Sequence, residues 1–142
     1  MFNEVGVEAR VQALEFGAVF QQIRGKPFND HLFTLGWVTS NADADYSLYA
    51  LFHSQQVPPA GWNTSRYANG KVDALVEQAR RSLNQTEREK LYGEVQDILA
   101  TEMVWIPVYT TKEIIAARAG VKGFSVHPVE YNLALWKTWL DK

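Results

Sequence analysis

An α/β architecture follows from three features of the sequence. Residues 32–37, Leu32-Phe33-Thr34-Leu35-Gly36-Trp37, form an apolar run with hydrophobic side chains on both parities, the pattern of a strand covered on both faces. The run empties into a small and polar stretch, residues 38–45, and an apolar helical segment begins directly after it. Two amphipathic helical patterns, 71–83 and 86–102, then lead to another apolar run at 104–110. The expected arrangement is a sheet with residues 32–37 as an interior strand and the two long helices packed on it. Open sheets of this kind bind ligands beyond the carboxyl ends of their strands, which makes 38–45 the first place to seek a site.

Residues 1–5 read as the last turn of a helix stopped by Gly6. Residues 7–14 alternate Val7, Ala9, Val11 and Ala13 with Glu8, Arg10 and Gln12, as a half-exposed strand would. Phe16, Val19, Phe20 and Ile23 share one face of a short helix, 16–24, ended by Gly25. Pro27-Phe28-Asn29-Asp30 is a turn. Asp43 or Asp45 caps a helix over 46–53. A loop over 55–64 carries Pro58-Pro59 and Trp62. In 71–83 the apolar face is Val72, Leu75, Val76, Ala79 and Leu83. Thr86 and Glu89 form a capping box for the next helix, which buries Leu91, Tyr92, Val95, Ile98 and Leu99. Residues 104–110 read as a strand interrupted at Pro107. Residues 114–117 are a short extended piece, and 121–127 and 133–140 are strand or edge segments.

The chain of 142 residues is long enough for a domain with a real core, and 46% hydrophobic against 21% charged is ordinary globular composition. A net charge of −2 argues against nucleic-acid and anionic-membrane partners. The absence of cysteine excludes disulfides, thiol catalysis and cysteine metal sites without fixing the compartment. No apolar run approaches the roughly 20 residues of a membrane helix. The opening MFNEVGVEAR has neither a basic n-region nor an apolar h-region. Five Trp, six Tyr and seven Phe are many for this length, enough to serve both a core and a binding cleft.

Asp43 and Asp45 are the close carboxylate pair of the polar stretch, with helix capping as the competing role for each. His31, His53 and His127 are scattered, with none four residues from another, so no metal site is expected. There is no nucleophile elbow and no glycine-rich phosphate loop, and no cofactor is expected. Trp37 ends the apolar run beside the polar stretch, where an indole can serve core and ligand together. Trp62 follows Pro-Pro and Gly in a loop, where less packing is on offer. Asn63, Thr64 and Tyr67 bring hydrogen-bonding groups suited to a polar ligand or equally to a turn.

An ordered set of segments carries a family resemblance. Leu35-Gly36-Trp37, the polar stretch with Asp43 and Asp45, Leu51-Phe52 and Asn63-Thr64-Ser65-Arg66-Tyr67-Ala68-Asn69 come first. Lys71-Val72-Asp73-Ala74-Leu75, Gln96-Asp97-Ile98-Leu99, Trp105-Ile106-Pro107-Val108-Tyr109, Val121-Lys122-Gly123-Phe124 and Trp139-Leu140 follow. In this order they resemble the C-terminal region of solute-binding proteins of peptide-type ABC importers. Ala44-Asp45-Tyr46-Ser47-Leu48, Leu51-Phe52-His53-Ser54-Gln55 and Pro58-Pro59 are most similar to the glutathione-binding branch.

The resemblance implies a type II periplasmic-binding-protein fold, with a mixed sheet and packed helices, represented here by a C-terminal fragment. Residues 1–111 would be part of the second lobe, and 112–142 a return segment packing on the first. It implies a non-enzymatic receptor in the periplasm, or on the outer membrane face of a Gram-positive cell. Such a receptor captures a short peptide or glutathione-like ligand and delivers it to a membrane permease. Self-association through uncovered edges is a further expectation for the fragment. The implied ligand contacts are Trp37, Ser40, Asn41, Asp43, Asp45, Trp62, Asn63 and Tyr67. Peptide binders of the family commonly place an Asp three residues after the Trp to hold the ligand amine, and that position is Ser40 here. Asp43 or Asp45 is then the substitute, or the ligand is a non-peptide solute such as a metal chelate or opine. A carboxylate-dependent hydrolase is the remaining rival, and it lacks a nucleophile and a partner base.

Overall fold

The computed structural model describes residues 2–25, 32–112, 114–126, 129 and 135–141. The expected turn at Pro27-Phe28-Asn29-Asp30, His31, His127 and the first residues of the 133–140 segment lie outside the described residues. Described residues form a small mixed α/β assembly of four α-helices and one two-stranded antiparallel sheet. The chain divides into two compact units, Met1–Phe33 and Thr34–Lys142.

In the first unit a 3-10 turn, Phe2–Val5, precedes α1, Phe16–Arg24. Glu15 caps α1, its carboxylate accepting the amides of Gly17 and Ala18. Ile23 is fully buried, whereas Phe16 stays exposed and rests its ring 5.5 Å from that of Phe20. The alternating segment 7–14 forms no strand and is exposed throughout. Alternation selects a face, but a strand exists only through a ladder partner, and no described segment pairs with it.

The second unit is built on three helices, α2 (Ala44–Phe52), α3 (Gly70–Arg81) and α4 (Gln85–Thr101). Their apolar faces meet in one core: Leu48, Leu51 and Phe52 from α2, Val72, Val76 and Ala79 from α3, Leu91, Tyr92 and Val95 from α4. Three- and four-residue spacings place each set on one side of its helix. Asn69 caps α3 by accepting the amides of Lys71 and Val72. At the far end, Ser82 closes the last turn with its amide on the carbonyls of Gln78 and Ala79. Leu83, expected on the buried face, therefore lies past the helix end and is fully exposed. The cap of α4 is Asn84, which accepts the amide of Glu87, and not the expected Thr86–Glu89 box. Glu87 in turn accepts the Ser82 hydroxyl at 2.6 Å. An Asn side chain reaches the third amide of a helix as readily as a Thr does, and it stands two residues earlier.

Residues 32–37 are not an interior strand. They belong to no regular element, and their burial alternates: Leu32, Thr34 and Gly36 exposed, Phe33, Leu35 and Trp37 half-buried. Apolar composition on both parities overstated the cover. Residues 104–110 likewise pair with nothing described, and Ile106, Val108 and Tyr109 are exposed. Among them Val104 is half-buried against the core, and Trp105 sets its ring 4.9 Å from Phe52. The long helices pack on each other and on α2, where packing on a sheet was expected. The sheet is local: β1 (Val121–Lys122) pairs with β2 (Trp139–Leu140) in the register Val121 to Leu140 and Lys122 to Trp139. Gly123 follows β1 at φ 70°, where an added Cβ would collide with the Lys137 carbonyl oxygen.

The core makes a paired prediction. Leu91→Ala removes a buried side chain and should cost about 2–5 kcal/mol of unfolding free energy. Leu83→Ala, at the position the periodicity put inside, should change it by less than about 0.5 kcal/mol. Urea denaturation of the two variants beside the parent chain measures both.

Candidate functional site

The polar stretch between Trp37 and α2 is a set of small turns. Ala42 adopts φ 57°, and its amide reaches the Thr39 carbonyl. The Asn41 side chain accepts the Asp43 amide at 3.0 Å. Asp43 is the cap of α2, accepting the Asp45 amide at 2.9 Å. The same carboxylate receives Arg88 from α4 at 2.7 Å on each oxygen. Asp45, in the first turn, takes the Arg80 guanidinium at 3.1 Å and the Tyr92 hydroxyl at 3.4 Å, both on Oδ1. Burial raises the Asp45 pKa above the ordinary 3.8, with Arg80 opposing it and the Asp43 charge adding to it. Arg80 also stacks 3.7 Å over the Tyr49 ring, so its charge is shared between carboxylate and aromatic face.

The loop after α2 folds back on itself. Asp73 of α3 accepts the Ser54 amide at 2.9 Å and the Ser54 hydroxyl at 2.5 Å, fixing the 3-10 turn Ser54–Gln56. The Gln56 carbonyl accepts the Asn63 amide at 2.8 Å and closes the Pro-Pro segment. Gly61 sits against that closure, where a Cβ would come within 2.7 Å of the Gln56 carbonyl oxygen. Asn63 is fully buried and committed at both ends of its amide: Nδ2 donates to the carbonyls of His53 and Tyr67, and Oδ1 accepts from Ser65 Oγ and the Tyr67 amide. Tyr67 donates its hydroxyl to Glu102 at 2.5 Å and packs edge-on against Phe52. Burial and Glu102 push its phenol up to about 12. His53 is buried, accepting the Gln55 amide on Nδ1 and placing Nε2 3.3 Å from Glu77. It serves the core, and among the described residues no group of three or more acidic or histidine side chains is placed to hold a metal.

The fold-back carries Trp62 to Trp37. Their ring centroids are 6.0 Å apart, and the Tyr46 ring lies 5.5 Å from that of Trp37. These rings, with Tyr49, Ala50 and Asp45, line a cavity of about 270 Å³. Of the residues singled out in the sequence, Trp37, Asp45 and Trp62 meet here. Ser40 and Asn41 stay exposed on the turn leading into α2. Asp43, Asn63 and Tyr67 are engaged in holding helices and loops together. Tyr46, Tyr49 and Ala50 were missed. Their spacing was the available signal: with Asp45 they occupy one side of α2, opposite Leu48, Leu51 and Phe52.

No family model matches the chain. Comparison with individual proteins finds that the chain is similar to part of proteins named for glutathione binding. It is 34% identical over 128 residues to the glutathione-binding protein GsiB of Salmonella typhimurium (strain LT2) and, to the same degree, to that of Escherichia coli (strain K12). The alignments cover 88% of this chain and 25% of each relative, so the chain spans about a quarter of the length of the curated relatives it matches.

Two predictions concern the carboxylates. Asp43→Ala removes a helix cap and leaves Arg88, whose side chain is only 18% exposed, without its partner; the expected loss is about 1–3 kcal/mol by urea denaturation. Asp45 behaves differently with pH. Its folded-state pKa is raised, so its contribution to stability is present below the unfolded value of 3.8 and is lost as pH rises through the folded value. Asp45→Asn abolishes this dependence, so the stability of the variant relative to the parent should improve between acid and neutral pH. Denaturation curves at both pH values check the sign.

Proposed function

We propose that this chain is the ligand-contacting part of the second lobe of an extracytoplasmic receptor that serves an ABC importer of glutathione or short peptides. The observation that carries the reading is sequence identity extending over 88% of the chain to proteins named for glutathione binding. The architecture proposed is the type II periplasmic-binding fold, with residues 1–111 in the second lobe and 112–142 returning to the first. No helix among the described residues is long and apolar enough to cross a membrane, which agrees with a receptor in the periplasm or on the outer membrane face.

Capture is non-covalent. Trp37, Trp62 and Tyr46 offer stacking and apolar surface, and Asp45, Ser40 and Asn41 offer polar contacts. Asp43, Asn63 and Tyr67 act one step back, by holding the elements that carry these groups. Closure of a second lobe over the cavity completes the site, and the closed receptor delivers its ligand to the permease. A hydrolase reading has less support, because both carboxylates are held by guanidinium groups. One observation favours a non-peptide solute of the metal-chelate or opine type as the second reading: Ser40 stands where peptide binders of the family commonly carry the amine-holding Asp, and it is exposed on its turn.

Titration calorimetry of the two-lobed receptor tests the proposal. Reduced glutathione should bind, and Trp37→Ala should weaken it by roughly 1–3 kcal/mol with a smaller effect on unfolding. The second reading expects silence toward glutathione and peptides with heat from a chelate or an opine. Silence toward all of these would overturn both.

A further inference from the structure

The Trp37 indole does not rest in the cavity wall by packing alone. Its Nε1–H donates to Ser47 Oγ at 3.1 Å, and Ser47 Oγ lies 2.6 Å from the Thr39 hydroxyl. An indole nitrogen only donates, so Ser47 accepts from Trp37, and either hydroxyl can donate in the Ser47–Thr39 contact. Ser47 stands in the first turn of α2, one residue after Tyr46 and two after Asp45, and both of those line the cavity. Thr39 belongs to the turn whose carbonyl holds Ala42. The hydroxyl pair thus spans eight residues and ties the indole to the helix that carries the rest of the wall.

From this geometry we infer that Ser47, backed by Thr39, is a positioning residue that sets the orientation of the Trp37 ring for ligand stacking. The inference rests on the proposed binding role of the cavity. Trp37 is half-buried and meets Tyr46 and Trp62 at tilted angles, 36° and 60°. Two torsions orient an indole, and packing on its faces leaves rotation in the ring plane open. A hydrogen bond at its edge closes that freedom. Ser47 is thereby set apart from the wall residues: it does not line the cavity, and its effect on ligand passes through Trp37.

The test uses Ser47→Ala and Ser47→Thr. Alanine is the better helix former, so a loss in the first variant does not come from a weakened α2. Threonine keeps the hydroxyl. In the 142-residue chain, the Trp37 Nε1–H resonance is identified by its disappearance in Trp37→Phe. Its exchange with solvent should quicken about tenfold or more in Ser47→Ala, with weaker cross-relaxation between the Trp37 and Trp62 rings, and should return toward the parent value in Ser47→Thr. In the two-lobed receptor, Ser47→Ala should weaken reduced glutathione binding about tenfold, and Ser47→Thr should stay within about threefold of the parent.

Unchanged indole exchange and ring contacts in Ser47→Ala would overturn the inference whatever the ligand does. So would full glutathione affinity in Ser47→Ala while Trp37→Ala loses it, and that result leaves the binding reading standing. Full affinity in Trp37→Ala itself would instead remove the cavity from the binding reading, and with it any role of Ser47 in capture.

Discussion

The contact on which the three-helix unit turns is the ion pair of Asp43 with Arg88. One carboxylate caps α2 through the Asp45 amide and grips a guanidinium from α4 with both oxygens. The guanidinium also donates to the Ala79 carbonyl in the last turn of α3, at 3.0 Å. A cap, a bridge to α4 and a carbonyl of α3 are therefore satisfied at one junction. The bond is charge-assisted, with the Arg88 Nη2 shared between the two Asp43 oxygens while Nη1 serves the Ala79 carbonyl. The apolar core supplies most of the cohesion, but apolar packing is non-directional and tolerates sliding. The polar junction fixes where the start of α2 sits relative to its partners, and the start of α2 carries the cavity.

From that junction the geometry propagates outward by short steps. Asp45 is two residues on, and Arg80, in the last turn of α3, binds it while covering the Tyr49 ring. Tyr46 and Tyr49 project from the same side of the helix into the cavity wall. Ser47 reaches back to Trp37, and the opposite wall arrives with Trp62 on a loop closed by Asn63 and Gln56. Asn63 shows how much polar capacity this closure consumes. All four of its side-chain bonds are internal, and a buried amide with any of them missing would cost about 1–3 kcal/mol.

The helices were legible because their signal is local. The periodicities of 16–24, 71–83 and 86–102 each mark a real helix, and the core residues Val72, Val76, Ala79, Leu91, Tyr92 and Val95 follow from spacing alone. Ends were less legible, since a cap is a competition among neighbours: Asn84 prevailed over Thr86, and Ser82 stopped α3 before Leu83. Strands were the least legible. Residues 7–14, 32–37 and 104–110 have strand-like composition, but composition names no partner, and the pairing found at Val121–Lys122 with Trp139–Leu140 involves only two residues a side. In the site, Trp37, Asp45 and Trp62 could be picked as aromatic and acidic groups beside turns. Tyr46 and Tyr49 could not be assigned to it until the buried face of α2 was known. Asn63 and Tyr67 have the same donors and acceptors whether they hold a ligand or a loop, and only their partners distinguish the two.

Those partners define what the cavity offers. Asp43 is neutralised by Arg88, and Asp45 shares Arg80 with an aromatic face, so the charges beside the cavity are balanced two against two. Balanced ion pairs give little net attraction to a charged ligand, and long-range steering is weak on a chain of net charge −2. In the proposed receptor, discrimination falls to surface that stacks and to the direction of a few dipoles. Three rings meeting at centroid distances of 5.5 and 6.0 Å make a wall whose shape depends on ring orientation, which a change of one torsion alters. The hydroxyl of Ser47 and the cap of Asp43 are both small, polar and outside the lined volume. They govern the wall for the same reason: an aromatic surface selects by angle, and angles are set by the hydrogen bonds at its edge.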